Sequence, residues 1–161
     1  MRMNEGVEWA LHSCVNMTWL DPEEAVTAKR LAAFYELPAA YLNKQLQSLV
    51  KAGILTSISG PRGGFRLAKR PDQITLLDIV TAIEGREDAF RCESILRKGP
   101  GGKPEVDYRA HCEVSMTMRE AELAWRRDLA GKTIADIAAT VARKYPEAPD
   151  GTRARFAALR G

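Results

Sequence analysis

Apolar side chains recur at three- and four-residue steps between Gly6 and Leu20. Val7, Ala10, Leu11, Cys14, Val15, Thr18 and Trp19 predict an amphipathic first helix there. Asp21-Pro22 breaks it, and Thr27 is an N-cap candidate for a short second helix through Ala28, Leu31, Ala32 and Tyr35. Pro38 suits the first turn of a third helix with Tyr41, Leu42, Leu46, Leu49 and Val50 as its apolar positions, closed by Gly53. The few residues between the second and third helices are the spacing of a helix-turn-helix. The period then changes. Ile54-Leu55-Thr56-Ser57-Ile58-Ser59 is rich in β-branched residues, and Phe65-Arg66-Leu67 resumes extended character after Gly60-Pro61-Arg62-Gly63-Gly64. A hairpin with a glycine-rich tip fits, and three helices followed by a hairpin is the order of a winged helix.

Leu76, Leu77, Ile79, Val80 and Ile83 predict a further helix that packs under the wing, with Thr75 inside its first turn and Gly85 at its end. From Arg86 to Ala110 no apolar period is present, and the stretch reads as a loop bracketed by Cys92 and Cys112. Periodicity returns with Val114, Met118, Ala121, Trp125 and Leu129, a stripe of large apolar side chains with little chain left to cover it. Pairing with its copy in a two-fold dimer is the expectation, which also suits a pseudo-palindromic DNA site. Thr133 to Ala142 reads as another helix, and the chain from Pro146 onward as a frayed basic tail. The expected fold is mainly α with a small β-hairpin wing. It divides into a winged helix-turn-helix over 1–85, a sensor loop over 86–112, a dimerisation helix and C-terminal helix over 113–145, and a flexible tail over 146–161.

Composition adds little to this picture until charge is placed along the chain. The 161 residues are 45% hydrophobic and 28% charged, an ordinary globular balance that excludes disordered, fibrous and large multidomain classes. No apolar stretch near the start is long enough for a signal peptide or membrane span, so a cytoplasmic protein without membrane contact is expected. The net charge of +3 hides an asymmetry. Between Leu37 and Pro71 stand Lys44, Lys51, Arg62, Arg66, Lys69 and Arg70, with no acidic residue. Such a segment steers a polyanion, and a winged helix makes duplex DNA the expected partner. On the third helix Ala40, Tyr41, Asn43, Lys44 and Gln45 are the candidates to meet DNA: Asn43 and Gln45 suit adenine, and Lys44 suits guanine or phosphate. In the wing, Arg62 is placed for a narrow minor groove, and Gly63 lets the backbone approach closely.

Cys14, Cys92 and Cys112 are too few and too scattered for a disulfide framework, which leaves metal or redox chemistry. Cys14, among Leu11, Val15 and Thr18, reads as a small core residue. Cys92 and Cys112 flank the loop, His111 adjoins the second, and Glu8 and His12 stand one turn apart on the first helix. Thiolates are natural iron-sulfur ligands, and two of them need nitrogen or oxygen donors to complete a cluster. The same two thiols could instead sense oxidants by forming a disulfide.

Several segments together resemble the IscR, NsrR and RsrR family of dimeric bacterial winged-helix transcription regulators. They are Gly6-Val7-Glu8-Trp9-Ala10-Leu11; Tyr41-Leu42 followed by Leu49, Gly53, Ile54 and Leu55; the wing from Gly60 to Phe65; and Ile74-Thr75-Leu76-Leu77-Asp78-Ile79-Val80. The close-spaced three-cysteine loop of IscR-like and NsrR-like members is absent. The chain is nearer the RsrR-like redox-sensing branch, which it resembles in Glu8-Trp9, in two cysteines bracketing a long loop, and in Trp125. That resemblance implies a 2Fe-2S cluster held by two cysteines of one subunit and by a glutamate and a histidine of the other. Cys92, Cys112 and Glu8 match three of those positions, and Tyr35 stands where the branch has its histidine. The fourth position is left to Tyr35, His12, His111 or another arrangement, with no stable cluster as a further alternative. Trp9, beside Glu8, is implied to be a switch that swings between buried and exposed positions. The implied protein is a homodimeric repressor of redox-response genes that binds a double-stranded operator. Two rivals stand beside it: a clusterless regulator of the same fold, controlled by a thiol switch, small molecule or partner protein, and a metal enzyme. The second is poorly supported, since no general base, nucleophile triad or phosphate loop stands near the cysteines.

Overall fold

The helices begin where the sequence supplies a cap. The Asn4 side chain accepts from the Gly6 N–H at 2.7 Å and opens α1 (Glu5–Thr18), and the Thr27 hydroxyl accepts from the Arg30 N–H at 3.2 Å and opens α2 (Ala28–Tyr35). Pro38 precedes α3 (Ala39–Lys51), and Gly53, at φ +70°, turns the chain out of it. The wing follows as β1 (Leu55–Ile58) and β2 (Gly64–Leu67), antiparallel, with Leu55 opposite Leu67 and Ile58 opposite Gly64. Two reciprocal capping boxes start α4 (Leu76–Glu84) and α7 (Ile134–Lys144): Thr75 with Asp78, and Thr133 with Asp136. Thr75 is therefore the cap itself and not a first-turn residue. Between them lie α5 (Tyr108–His111) and the long α6 (Glu113–Ala130), and α8 (Ala148–Ala158) comes last. The computed structural model describes residues 3–159.

One core unites the winged unit. Ala10 and Cys14 of α1, Leu31 of α2, Leu42, Leu46 and Leu49 of α3, Phe65 of the wing and Ile79 of α4 form a single buried cluster. Burial pushes the Cys14 thiol up to about 12, so it stays protonated and acts as a small apolar residue, as its neighbours in sequence predict. The entry to α7 is stitched to that of α4: the Ile134 N–H donates to the Ile74 carbonyl at 3.0 Å, and the Leu76 N–H to the Lys132 carbonyl at 2.9 Å. The chain thus returns from α6 to the winged unit and adds Ile134, Ala138 and Phe156 to its core.

Two segments differ from expectation. The tail expected to fray forms α8, whose Phe156 is 1% exposed and stacks on Phe34 of α2 with ring centroids 4.7 Å apart. Its apolar residues are sparse and irregular, so periodicity is a poor guide to a helix pinned by one aromatic. Arg160 and Gly161, at the end of that expected tail, lie outside the described residues. The loop after α4 is not featureless either: it contains a 3-10 turn at Ile95–Lys98 as well as α5.

Candidate nucleic-acid interface and sensor loop

On α3 the apolar positions Leu42, Leu46 and Leu49 turn inward, which leaves Ala40, Tyr41, Asn43 and Lys44 exposed on the opposite face. Gln45 does not join them. Its side chain is 5% exposed and lies against Gly6, where even a Cβ would come within 2.6 Å of the glutamine Cδ. Three residues after Leu42 and four before Leu49, Gln45 occupies the buried face, and that spacing overrides its polarity as a guide to base contact. The glycine at position 6 is what lets α1 and α3 approach this closely. Gln47, one turn beyond Asn43 and Lys44, is exposed. The same periodicity places it on the candidate face in Gln45's stead.

The wing tip is shaped by its glycines. Gly60 adopts φ +101°, its carbonyl accepts from the Gly63 N–H at 2.8 Å, and a Cβ at Gly63 would lie 2.3 Å from the Ile58 carbonyl oxygen. Arg62 is exposed at this tip. Arg66, on β2, is instead paired with Glu23 from the segment before α2, so the basic stretch is not uniformly free.

The N-terminal end of α3 is tied to the rest of the molecule through Tyr41 and Asn4. The Tyr41 hydroxyl donates to Asn4 Oδ1 at 3.1 Å, and the Tyr41 ring meets Trp9 edge-on at 5.1 Å. The Asn4 backbone N–H donates to Glu84 Oε1 at 2.5 Å, at the last residue of α4 and the root of the following loop. Asn4 and Glu84 were absent from the sequence-derived candidates. Only the helix-capping role of an asparagine ahead of Glu5 could have drawn attention to the first.

Cys92 and Cys112 are free and half-buried. Cys112 precedes α6, and its backbone N–H donates to the Tyr108 carbonyl at 2.9 Å. Arg109, three residues earlier, donates from Nε to the Cys92 carbonyl at 3.3 Å. His111 is exposed. Glu8 and His12 are exposed on α1, beside an apolar groove of about 620 Å³ lined by Leu11, Val15, Trp19, Ile137 and Val141. Tyr35 is no ready phenolate. Burial raises its pKa, only partly offset by the hydrogen bond that its oxygen accepts from Asn16 at 2.7 Å, and its ring lies edge-on to His12. Within one chain these donors do not fit a cluster. Among the described residues no three or more His, Cys, Asp or Glu side chains gather.

A family model described as Rrf2, iron-dependent transcriptional regulator, matches residues 3–140. The chain belongs to the Rrf2 family. It is 31% identical over 137 residues to the transcriptional regulator NsrR of Geobacillus kaustophilus, covering 85% of this chain and 89% of that one. A Bacillus subtilis protein described as the helix-turn-helix regulator YwgB is 27% identical over 145 residues, which cover 90% and 89% of the two chains. The solved structure of CymR, the global cysteine regulator of B. subtilis, superposes with a TM-score of 0.64 at 23% identity, over 87% of this chain and 98% of that one.

For this Rrf2 chain the winged helix follows from periodicity and the comparisons alike. The relatives are regulators of transcription and not enzymes, which removes the metal-enzyme alternative. Among the described residues no helix is long and apolar enough to cross a membrane.

Proposed function

We propose that this Rrf2 regulator is a homodimeric repressor that binds operator DNA through α3 and the wing, and reads redox state through a 2Fe-2S cluster on the loop between α4 and α6. The observation that carries the DNA-binding part is the exposed Asn43 and Lys44 face of α3 beside a wing tip that presents Arg62, in a stretch without one carboxylate. Support for the dimer comes from α6, which buries Ser115 alone and exposes Val114 and Met118 together on one face.

Since one chain does not complete a cluster site, the ligands we assign are split: Cys92 and Cys112 from one copy, Glu8 and His12 from a second. Exposure of Glu8 and His12 beside an apolar groove leaves them accessible to that copy. When bound, the cluster supplies a one-electron change of charge. The chain's own residues connect the loop to DNA. Glu84 at the loop root holds Asn4, Asn4 holds Tyr41, and Tyr41 in the first turn of α3 rests on Trp9. A shift of Trp9 or of the loop root biases the placement of α3, and only a difference in DNA affinity between the two placements makes that a switch.

A second reading is favoured by the Arg109 bond to the Cys92 carbonyl, which draws the two cysteine ends of the loop together. Here Cys92 and Cys112 form a disulfide, giving up two protons and two electrons to a peroxide.

The test begins with protein purified without oxygen. Visible absorbance with equal iron and sulfide, bleached by dithionite and restored by air, supports the cluster, and Cys92→Ala must then be colourless. Colourless protein after reconstitution, with a disulfide mapped to Cys92 and Cys112 after peroxide, moves the sensor to the thiols. For the DNA reading, Lys44→Ala, which removes one phosphate contact from each copy, should weaken binding and lower the salt slope by about 2. Unchanged affinity and slope would sink that assignment.

A further inference from the structure

The helix α8 lies beyond the residues matched by the family model, yet it is docked on the winged unit at specific points. Besides the Phe156–Phe34 stack, the Arg155 guanidinium sits 5.1 Å from the Phe34 ring centroid, and Arg153 Nη1 donates to the Trp19 carbonyl at the end of α1 at 3.1 Å. The Phe156 carbonyl, in the last turn of α8, accepts from Arg30 Nη2 at 2.6 Å. A guanidinium at the carbonyl end of a helix is a favoured pairing.

Arg30 carries the contact onward. Its Nη1 and Nη2 donate to Glu24 Oε1 at 3.3 and 3.2 Å, and the two side chains are only 15% and 18% exposed. Glu24 belongs to the segment that borders the wing. Val26 and Phe65 of β2 exchange both backbone hydrogen bonds at 2.8 Å, and Glu23 pairs with Arg66 of β2. At Gly64 a Cβ would lie 2.5 Å from the Val26 carbonyl carbon, so wing and segment are in close contact. Beyond this seam a cleft of about 650 Å³, lined by Glu24, Thr27, Arg30, Arg62 and Gly63, separates the wing tip from the start of α2.

We infer that α8 positions the wing for DNA: its Phe156 carbonyl fixes Arg30, Arg30 fixes Glu24, and the segment from Glu23 to Val26 sets where β2 and the Arg62 tip lie. Arg30, although it stands in the first turn of a helix-turn-helix, is turned inward and acts as a positioning residue. The role in DNA binding rests on the reading of the wing given above; the positioning itself does not.

The test uses full-length protein and two readouts. Without DNA, amide exchange is followed at Val26 and Phe65, with Cys14 in α1 as reference. Arg30→Met should accelerate Val26 and Phe65 at least about tenfold, with Cys14 changed less than about twofold. Phe156→Ala, which also opens a cavity in the core, should accelerate Val26 and Phe65 at least about tenfold more than it does Cys14. Glu24→Gln, which disturbs packing least, should do the same to a smaller degree. Equal acceleration at all three amides would make α8 a general brace, and no acceleration would disconnect it; either overturns the inference. With DNA, the probe is a duplex enriched from a random-sequence pool by the wild-type protein. Arg62→Ala should weaken binding about tenfold in the wild-type background and less than about threefold in Arg30→Met, because the wing is already displaced. A full tenfold loss in both backgrounds also overturns it. If the wild-type protein enriches no duplex, the DNA-binding reading fails, and the exchange readout tells that failure apart.

Discussion

The third helix and the sixth carry similar apolar stripes and meet opposite fates. In α3, Leu42, Leu46 and Leu49 are fully buried against α1, α2, α4 and the wing. In α6, Val114 is 63% exposed and Met118 is exposed on the same face, while Trp125 and Leu129 further along that stripe are half-buried. Met116 and Leu123 are exposed on the opposite face, and the helix packs chiefly on α4 and the short α5. Both stripes recur at the helical spacing, so their period alone does not separate the two. What separates them is whether the chain supplies a surface to close over the stripe: the winged unit is complete in one copy, whereas α6 keeps an open apolar end that the proposed dimer would cover.

The largest expected effect breaks the complete half. Leu46→Ala should cost about 2–5 kcal/mol of folding stability, since the cavity it leaves is enclosed on all sides. Val114→Ala, on the open stripe, should change the stability of the isolated monomer by no more than about 0.5 kcal/mol. Denaturant unfolding of both variants, each made together with Met118→Glu so that the monomer is what unfolds, checks this, and equal losses would erase the distinction between the two helices. Next in size is a change that spares folding and breaks pairing. Met118→Glu places a charge in the stripe, and the dimer should dissociate at least about a hundredfold more readily, roughly 2.7 kcal/mol. Sedimentation equilibrium reads this directly. A variant as dimeric as wild type would show that α6 is not the pairing surface.

The same contrast explains what could be read before the structure was known. Long periodic stretches bounded by Thr27, Pro38, Gly53 and Gly85 are local signals, and the helices and hairpin they predict are present. The glycines of the wing tip are legible for the same reason, since a tight turn demands them whatever surrounds it. Gln45 was misplaced because residue chemistry was weighed above helical spacing. The helix α8 was missed because its stability comes from one buried phenylalanine and from arginine contacts with residues over a hundred positions away, which no local window contains. The sensor was legible only as half-sets of donors. Two cysteines flank one loop and two further donors sit on α1, and spacing along a single chain does not say whether a second copy unites them.

The smallest effect tests the seam between the two regions. Thr133 caps α7 where the chain returns from α6, and it bridges to Thr75 at the cap of α4. Its hydroxyl accepts from the Asp136 N–H at 3.2 Å and donates to Asp136 Oδ2 at 2.8 Å, while its own N–H donates to the same oxygen at 2.8 Å. Removing the hydroxyl in Thr133→Ala should cost about 1 kcal/mol at neutral pH. These bonds, the side-chain one foremost, hold the Asp136 carboxyl below the usual aspartate range. A carboxyl depressed in the folded state stabilises it above the unfolded pKa of about 3.9, and that contribution fades as pH falls through the lower folded value. The difference between Thr133→Ala and wild type should therefore shrink in acid, because Asp136 in the variant keeps only its backbone partner and less is left to lose. Denaturant midpoints at neutral pH and near pH 3 measure both quantities. If the two proteins lose stability in parallel on acidification, the hydroxyl is not what lowers the Asp136 pKa, and the cap acts through the backbone alone.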